Sequence, residues 1–386
     1  MALGLANPAA ADDGLLKLHE ARKPGAIEVS GENRDPDAPH WVWVSFSAQQ
    51  NAAAQPALPA GFVLQPLEQR LLFTVSPQFP EQGWSYGLSE LSGVGDPERE
   101  PDKDAVYLLP WDHGTKHTVT QGYYGRVTHQ NQCALDFDMP DGTGVDAARA
   151  GTVIDVKDDS DEGGMQAWFS GRDNFVRVLH ADSTWAVYAH LMKGGALVQK
   201  GQGVQAGERI GLSGHTGLAS GPHLHFAVYR AGWQGPLTIP TVFKTGLSST
   251  ASIEEGRTYY SWHPGGPAFT PVLAADLREQ DLRGLTRTAR GQGVSLRQQT
   301  IDRRTLVWAD NAGAVDVDMA VDFAQASGVR SSVELPWRGR VPAGLEVYCF
   351  WIDYVGDGAS AFQLKTSWTE RPASPAAAPG RAGAGN

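Results

Sequence analysis

His223 and His225 stand two residues apart behind the run Gly214-His215-Thr216-Gly217-Leu218-Ala219-Ser220-Gly221-Pro222. A strand puts residues two apart on one face, so both imidazoles enter the same space. The run before them has the glycine, serine and proline content of a tight loop. Two imidazoles delivered by a stiff loop onto one strand face make half a zinc site. The chemistry such a site serves is hydrolysis without a serine or cysteine nucleophile. Ser213-Gly214 and Ser220-Gly221 read as loop pairs, with no Gly-x-Ser-x-Gly elbow near a suitable acid and base.

As a whole, the string from Gly214 to His225 closely resembles the signature of the lysostaphin-like (LytM-type) zinc metalloendopeptidases, which cut peptidoglycan cross-bridges. Upstream, Cys133-Ala134-Leu135-Asp136-Phe137-Asp138-Met139-Pro140 is similar to that family's metal-binding strand, and Val145 to Ile154 resembles its turn into the next strand. Tyr188-Ala189-His190-Leu191 matches the motif that supplies a catalytic histidine outside the ligand set. Val204 to Gly211 resembles the linker into the His-x-His loop. These landmarks are collinear with the family order and cover residues 109–245. The resemblance implies a Zn2+ cofactor with Asp136 and His225 as ligands, His190 and His223 as catalytic residues, and peptidoglycan stem or cross-bridge peptides as substrate. An imidazole has an unperturbed pKa near 6.5, so either catalytic histidine can take a proton from the attacking water at neutral pH.

The third ligand departs from the pattern. Family members often carry a histidine four residues before the metal aspartate, where this chain has Gln132. A neutral amide is a poor zinc ligand beside imidazole or carboxylate. The nearest upstream histidine, His129, lies at an odd offset from Asp136, on the opposite face of any unbroken strand. His129 therefore reaches the metal only if a loop or bulge through Gln130-Asn131-Gln132 re-aims the chain. The other reading is a crippled site holding Asp136 and His225 alone. Asp138 shares a strand face with Asp136 and competes for the ligand role. His180 is expected at a hairpin end, His215 as a structural or substrate-lining loop residue, and His113 and His117 at the surface.

Composition bounds the partners. The net charge of −11 and pI of 5.4 argue against nucleic acid or an anionic membrane. No stretch approaches the ~20 apolar residues of a membrane span. Two cysteines, Cys133 and Cys349, exclude a disulfide scaffold and a thiolate zinc cluster. Both sit in apolar runs and read as buried free thiols, with an inter-domain disulfide as the other possibility. Met1 to Asp13 looks like the end of an apolar segment running into a small-residue cleavage site. A periplasmic or secreted monomer whose export signal is missing from this chain is expected, against an ordinary flexible N-terminus.

The elements that must hold these residues read as strands. Gly plus Pro is high, at 45 and 24 residues, which favours short strands and many turns. The expected fold is all-β: a central antiparallel-sheet metallopeptidase domain over 109–245, of the duplicated hybrid motif type, flanked by β-sandwich-like domains over 26–108 and 246–372. Trp41–Phe46 and Arg70–Val75 are candidate strands of the first flank, Val315–Phe323 and Val347–Ile352 of the second, and the theme hints at an internal repeat. Residues 1–25 are expected to be a leader remnant or flexible, and 373–386 a disordered tail. Three function classes follow: a peptidoglycan-cutting zinc endopeptidase, an inactive cell-wall-binding or hydrolase-activating protein on the same fold, and a secreted protease of other proteins.

Overall fold

The computed structural model describes residues 14–269, 271, 273, 277–302, 304–355 and 361–371. The expected C-terminal tail and most of the expected leader lie outside these residues. The fold is all-β, with one short helix, Glu279–Leu282, and one 3-10 turn, Ala167–Phe169, among the described residues. No helix among them is long and apolar enough to cross a membrane. The chain divides into two compact units, Met1–Phe269 and Thr270–Asn386.

The first unit opens with two facing sheets. Leu16–Lys23, Ala26–Asn33, Gln69–Pro77 and Ala52–Gln55 form one; Ala60–Leu64, His40–Gln50 and Ser85–Val94 form the other. Strand structure thus begins at Leu16, inside the segment expected to be leader, because Leu16 and Leu18 alternate inward onto the sandwich core. That core joins Val29, Phe73 and Val75 of one sheet to Val42, Val44, Phe62 and Leu64 of the other. Trp41 and Trp43, on the opposite face of their strand, point away from it. They pack on Trp233, with ring centroids 6.0 and 5.7 Å away. Gly61 lies flat under the same indole, and a Cβ there would strike the ring. Lys200 reaches the buried Asp35 carboxylate at 3.4 Å across this junction.

The central sheet runs Gly203–Val204, Gly151–Lys157, Asn174–Leu179, Trp185–Ala196, Leu224–Arg230, Ala134–Phe137, Lys116–Gln121 and Thr258–Tyr260, each pair antiparallel. Its last strand lies beyond residue 245, since Thr258–Tyr260 returns to pair with Lys116–Gln121. Both faces of Leu224–Arg230 are buried, which is why it reads as a nearly continuous apolar run rather than a clean alternation. On one face Leu135, Phe226, Tyr188 and Val176 align and pack with Trp111 and Phe243 into the main core. Each such fully buried side chain contributes roughly 1.5–3 kcal/mol. On the other face Asp136, His225, Ala189 and Phe175 form a row across four strands. The next row, Ala134, Ala227 and Val187, belongs to one apolar cluster with Trp41. The first sandwich therefore packs on the sheet face that carries the histidines and the aspartate.

The second unit repeats the strand pairing of the first sandwich, with Thr286–Thr288 added on Leu345–Tyr354. Val294–Ile301, Arg304–Asn311 and Leu345–Tyr354 pair as Leu16–Lys23, Ala26–Asn33 and Gln69–Pro77 do; Trp337–Val341, Val317–Ser327 and Ala361–Glu370 pair as Ala60–Leu64, His40–Gln50 and Ser85–Val94 do. Register shifts fall at matching places, Val29/Ser30 and Val307/Trp308, then Phe46/Ala48 and Phe323/Gln325. A buried asparagine does the same work in each copy. Asn33 donates to the carbonyls of Ala38 and Leu64, and Asn311 to those of Val315 and Val341. The outward faces differ: where the first copy has Trp41 and Trp43, the second has Asp318 and Ala320. Cys133 and Cys349 are both buried and free, so they form no disulfide.

Candidate metal centre

Three side chains converge on the central sheet. Asp136 on Ala134–Phe137 is directly opposite His225 on Leu224–Arg230. His129 arrives from a stretch of turns between Gly122 and Cys133, in which Asn131 takes a left-handed φ of 65°. The turn is what lets an odd sequence offset end on the same side as Asp136. His129 Nε2 lies 3.2 Å from Asp136 Oδ1 and 3.3 Å from His225 Nδ1, and His225 Nδ1 lies 2.9 Å from Asp136 Oδ1. All three residues are buried, and their ligand atoms fall within 4.8 Å of one another.

This donor set fits zinc. Two nitrogens or oxygens each about 2.0–2.1 Å from a tetrahedral zinc stand about 3.3 Å apart, close to the observed spacings. Two imidazoles and a carboxylate also match its borderline character. The His129 Nδ1–H donates to the Gly122 carbonyl at 3.0 Å, which fixes the tautomer and turns Nε2 to the centre. Burial penalises the Asp136 carboxylate, but hydrogen bonds from His129 and His225 outweigh it and hold its pKa well below the usual range. Burial would likewise lower the His129 pKa; the Asp136 partner overcomes that and raises it.

Two further imidazoles stand beside these. His190 is the extra residue of a bulge, since Asn174 faces Leu191 and Phe175 faces Ala189. Its φ of 65° is uncommon for a side-chain-bearing residue. Thr216, in the loop before His223, holds that geometry: its carbonyl takes the His190 Nδ1–H at 2.7 Å, and its hydroxyl donates to the Leu191 carbonyl at 2.7 Å. Burial, then the neighbouring His223 and His225, keep the His190 pKa well below that of a free histidine. His223 donates from Nδ1 to the Gly221 carbonyl at 2.8 Å, and its Nε2 lies 3.8 Å from Asp136 Oδ1.

The other histidines and Asp138 are elsewhere. Asp138 follows the end of its strand past a register shift at Asp136/Phe137 and accepts from the Thr118 N–H, with its carboxylate half exposed. His180 closes the turn between Asn174–Leu179 and Trp185–Ala196. His215 is exposed and bonds Asp141 at 2.9 Å. His113 and His117 are half-buried rather than surface residues, bonded to the carbonyls of Pro267 and Asp138. Gln132 gives its backbone to the turn, accepting from the Tyr124 N–H. Sequence reasoning passed over Gln121 and Thr216, whose parts depend on pairings between distant strands that leave no local signal.

The model of peptidase family M23 matches residues 130–235 of this chain. The match contains Asp136, His190, His223 and His225 and begins just after His129. An uncharacterized metalloprotease of Haemophilus influenzae is 38% identical over 39% of this chain and 28% of its own length. The peptidoglycan DD-endopeptidase ShyA of Vibrio cholerae is 39% identical over 28% of this chain and 21% of its own. The chain thus spans under a third of these relatives. Among solved structures, the catalytic domain of lysostaphin from Staphylococcus simulans is 27% identical, covering 32% of this chain and 87% of that one with a TM-score of 0.24.

Proposed function

We propose that this protein is a zinc-dependent endopeptidase that hydrolyses peptide cross-links of bacterial peptidoglycan outside the cytoplasm. The observation that carries the reading is the convergence of His129 Nε2, Asp136 Oδ1 and His225 Nδ1, with two non-ligand imidazoles alongside. The substrate class rests on relatives that bear the name peptidoglycan DD-endopeptidase. A zinc ion held there would lower the pKa of a bound water and polarise the scissile carbonyl. With its Nδ1–H given to Thr216, His190 presents a lone pair on Nε2, and its lowered pKa keeps that nitrogen free at pH 7 to accept a proton. His223, tied to Gly221, is set to return a proton to the leaving amine or to stabilise the oxyanion. The first sandwich is seated on the same sheet face, beyond the row of Ala134 and Ala227. The test is direct: metal content of the purified chain, with chromatography of products from digested peptidoglycan sacculi. One zinc per chain and new muropeptides are expected; a metal-free protein that leaves sacculi uncut defeats the proposal.

A further inference from the structure

We propose that Gln121 is a positioning residue of the metal centre, locking the turn that carries His129 to the carboxylate of Asp136; the inference rests on the metal-centre reading above. His129 needs such a lock because no strand ladder fixes its place, unlike that of Asp136 and His225. Gln121 ends the strand Lys116–Gln121, sits opposite Asp136 in register, and is 8% exposed. Its side-chain oxygen accepts from the backbone N–H groups of Val127 at 3.0 Å and Thr128 at 3.2 Å. Its amide nitrogen donates to the Thr128 hydroxyl at 2.7 Å and to Asp136 Oδ2 at 3.0 Å. Both hydrogens of the amide are used: three of the four bonds hold the turn that carries His129, and the fourth holds the Asp136 carboxylate.

The choice of oxygen matters. Gln121 takes Oδ2, which fixes the rotation of the carboxylate and leaves Oδ1 facing His129 and His225. The turn also packs straight onto the glutamine stem. A Cβ at Gly125 would lie 2.5 Å from Gln121 Cγ, so only glycine allows that approach. Within the same turn the Gly122 carbonyl sets the His129 tautomer, while the Gly122 N–H donates to Glu255 at 2.8 Å. Displacing Gln121 thus misplaces the His129 ring and frees the Asp136 carboxylate together.

The test uses the full chain and reads zinc affinity by competition with a chromophoric chelator. Gln121→Met keeps the length of the side chain and removes all four hydrogen bonds. It is expected to weaken zinc binding by about 10–100-fold, the scale for groups that orient metal ligands. In a His129→Ala background the same change should cost clearly less, because no imidazole remains to be placed. An affinity equal to that of the parent, or an equal loss in both backgrounds, overturns the proposal. Should Gln121→Met fail to fold, Thr128→Val carries the test, since it removes only the hydroxyl that Gln121 donates to. Weaker zinc binding by Thr128→Val that Thr128→Ser recovers supports the lock; unchanged binding overturns it. A parent protein that holds no zinc would defeat the metal-centre reading itself, a distinct result.

Discussion

His190 and His223 face each other with ring centroids 4.6 Å apart, and each gives its Nδ1 to a backbone carbonyl, Thr216 for one and Gly221 for the other. Two imidazoles are thereby fixed in tautomer and aim beside the three converging donor atoms of His129, Asp136 and His225 without joining them. Substituting His225→Ala should abolish zinc binding. His190→Ala and His223→Ala should each keep zinc and lower turnover by ~10² or more, the usual scale for a general acid or base. Metal analysis beside single-turnover rates checks this. Loss of zinc in all three variants would sink the division of labour.

The proposed third ligand can be tested against its rivals. His129→Ala should bind zinc weakly and be inactive, because two remaining ligands hold zinc poorly. Gln132→Ala and Asp138→Asn should keep the metal, since Gln132 serves the turn through its backbone and Asp138 bonds Thr118 with a half-exposed carboxylate. Equilibrium dialysis of the three variants ranks them; zinc loss in Asp138→Asn alone would reassign the carboxylate ligand.

Much of this geometry was legible in local sequence, and the rest was hidden in pairings. Residue type and spacing put His223 near His225 and Asp136 on a strand, and the odd offset of His129 demanded a turn, which the chain makes between Gly122 and Cys133. The bulge that re-aims the buried His190 is a register shift between two strands, and nothing in Tyr188-Ala189-His190-Leu191 announces it. Gln121 meets Asp136 only through pairing across the sheet. The return of Thr258–Tyr260 to the central sheet is equally non-local. Trp41 and Trp43 read as strand residues, but that their face docks on Trp233 needed the third dimension.

The Trp233 contact yields a stability prediction. Its indole fills the space between Trp41, Trp43 and the bare backbone of Gly61. Trp233→Ala should leave a cavity at the junction of sandwich and central sheet, at a cost of about 2–4 kcal/mol for a partly buried tryptophan. Urea unfolding measures it. A loss below roughly 0.5 kcal/mol, the range of ordinary surface substitutions, would mean the sandwich is not held there.

The last prediction concerns acid stability and His180, which lies outside the proposed chemistry. Its ring is buried in the turn between Asn174–Leu179 and Trp185–Ala196, its Nδ1–H donates to the Ala150 carbonyl at 3.0 Å, and its Nε2 is buried with no partner among the described residues. Burial pushes its pKa down to about 4; the nearby Arg149 adds to this, while Ala150 and Asp182 oppose it. The folded protein therefore keeps His180 neutral where the unfolded chain, with a pKa near 6.5, already binds a proton. Because the folded value is the lower one, the contribution is fully present above about pH 6.5 and is lost as pH falls through about 4. The shift corresponds to about 3 kcal/mol. His180→Gln keeps a donor for Ala150 but cannot be protonated in this range. Unfolding free energies of the metal-free parent and variant, compared between pH 7 and 4, should converge as the parent loses stability and the variant loses less. Parallel curves would show that His180 is not held neutral.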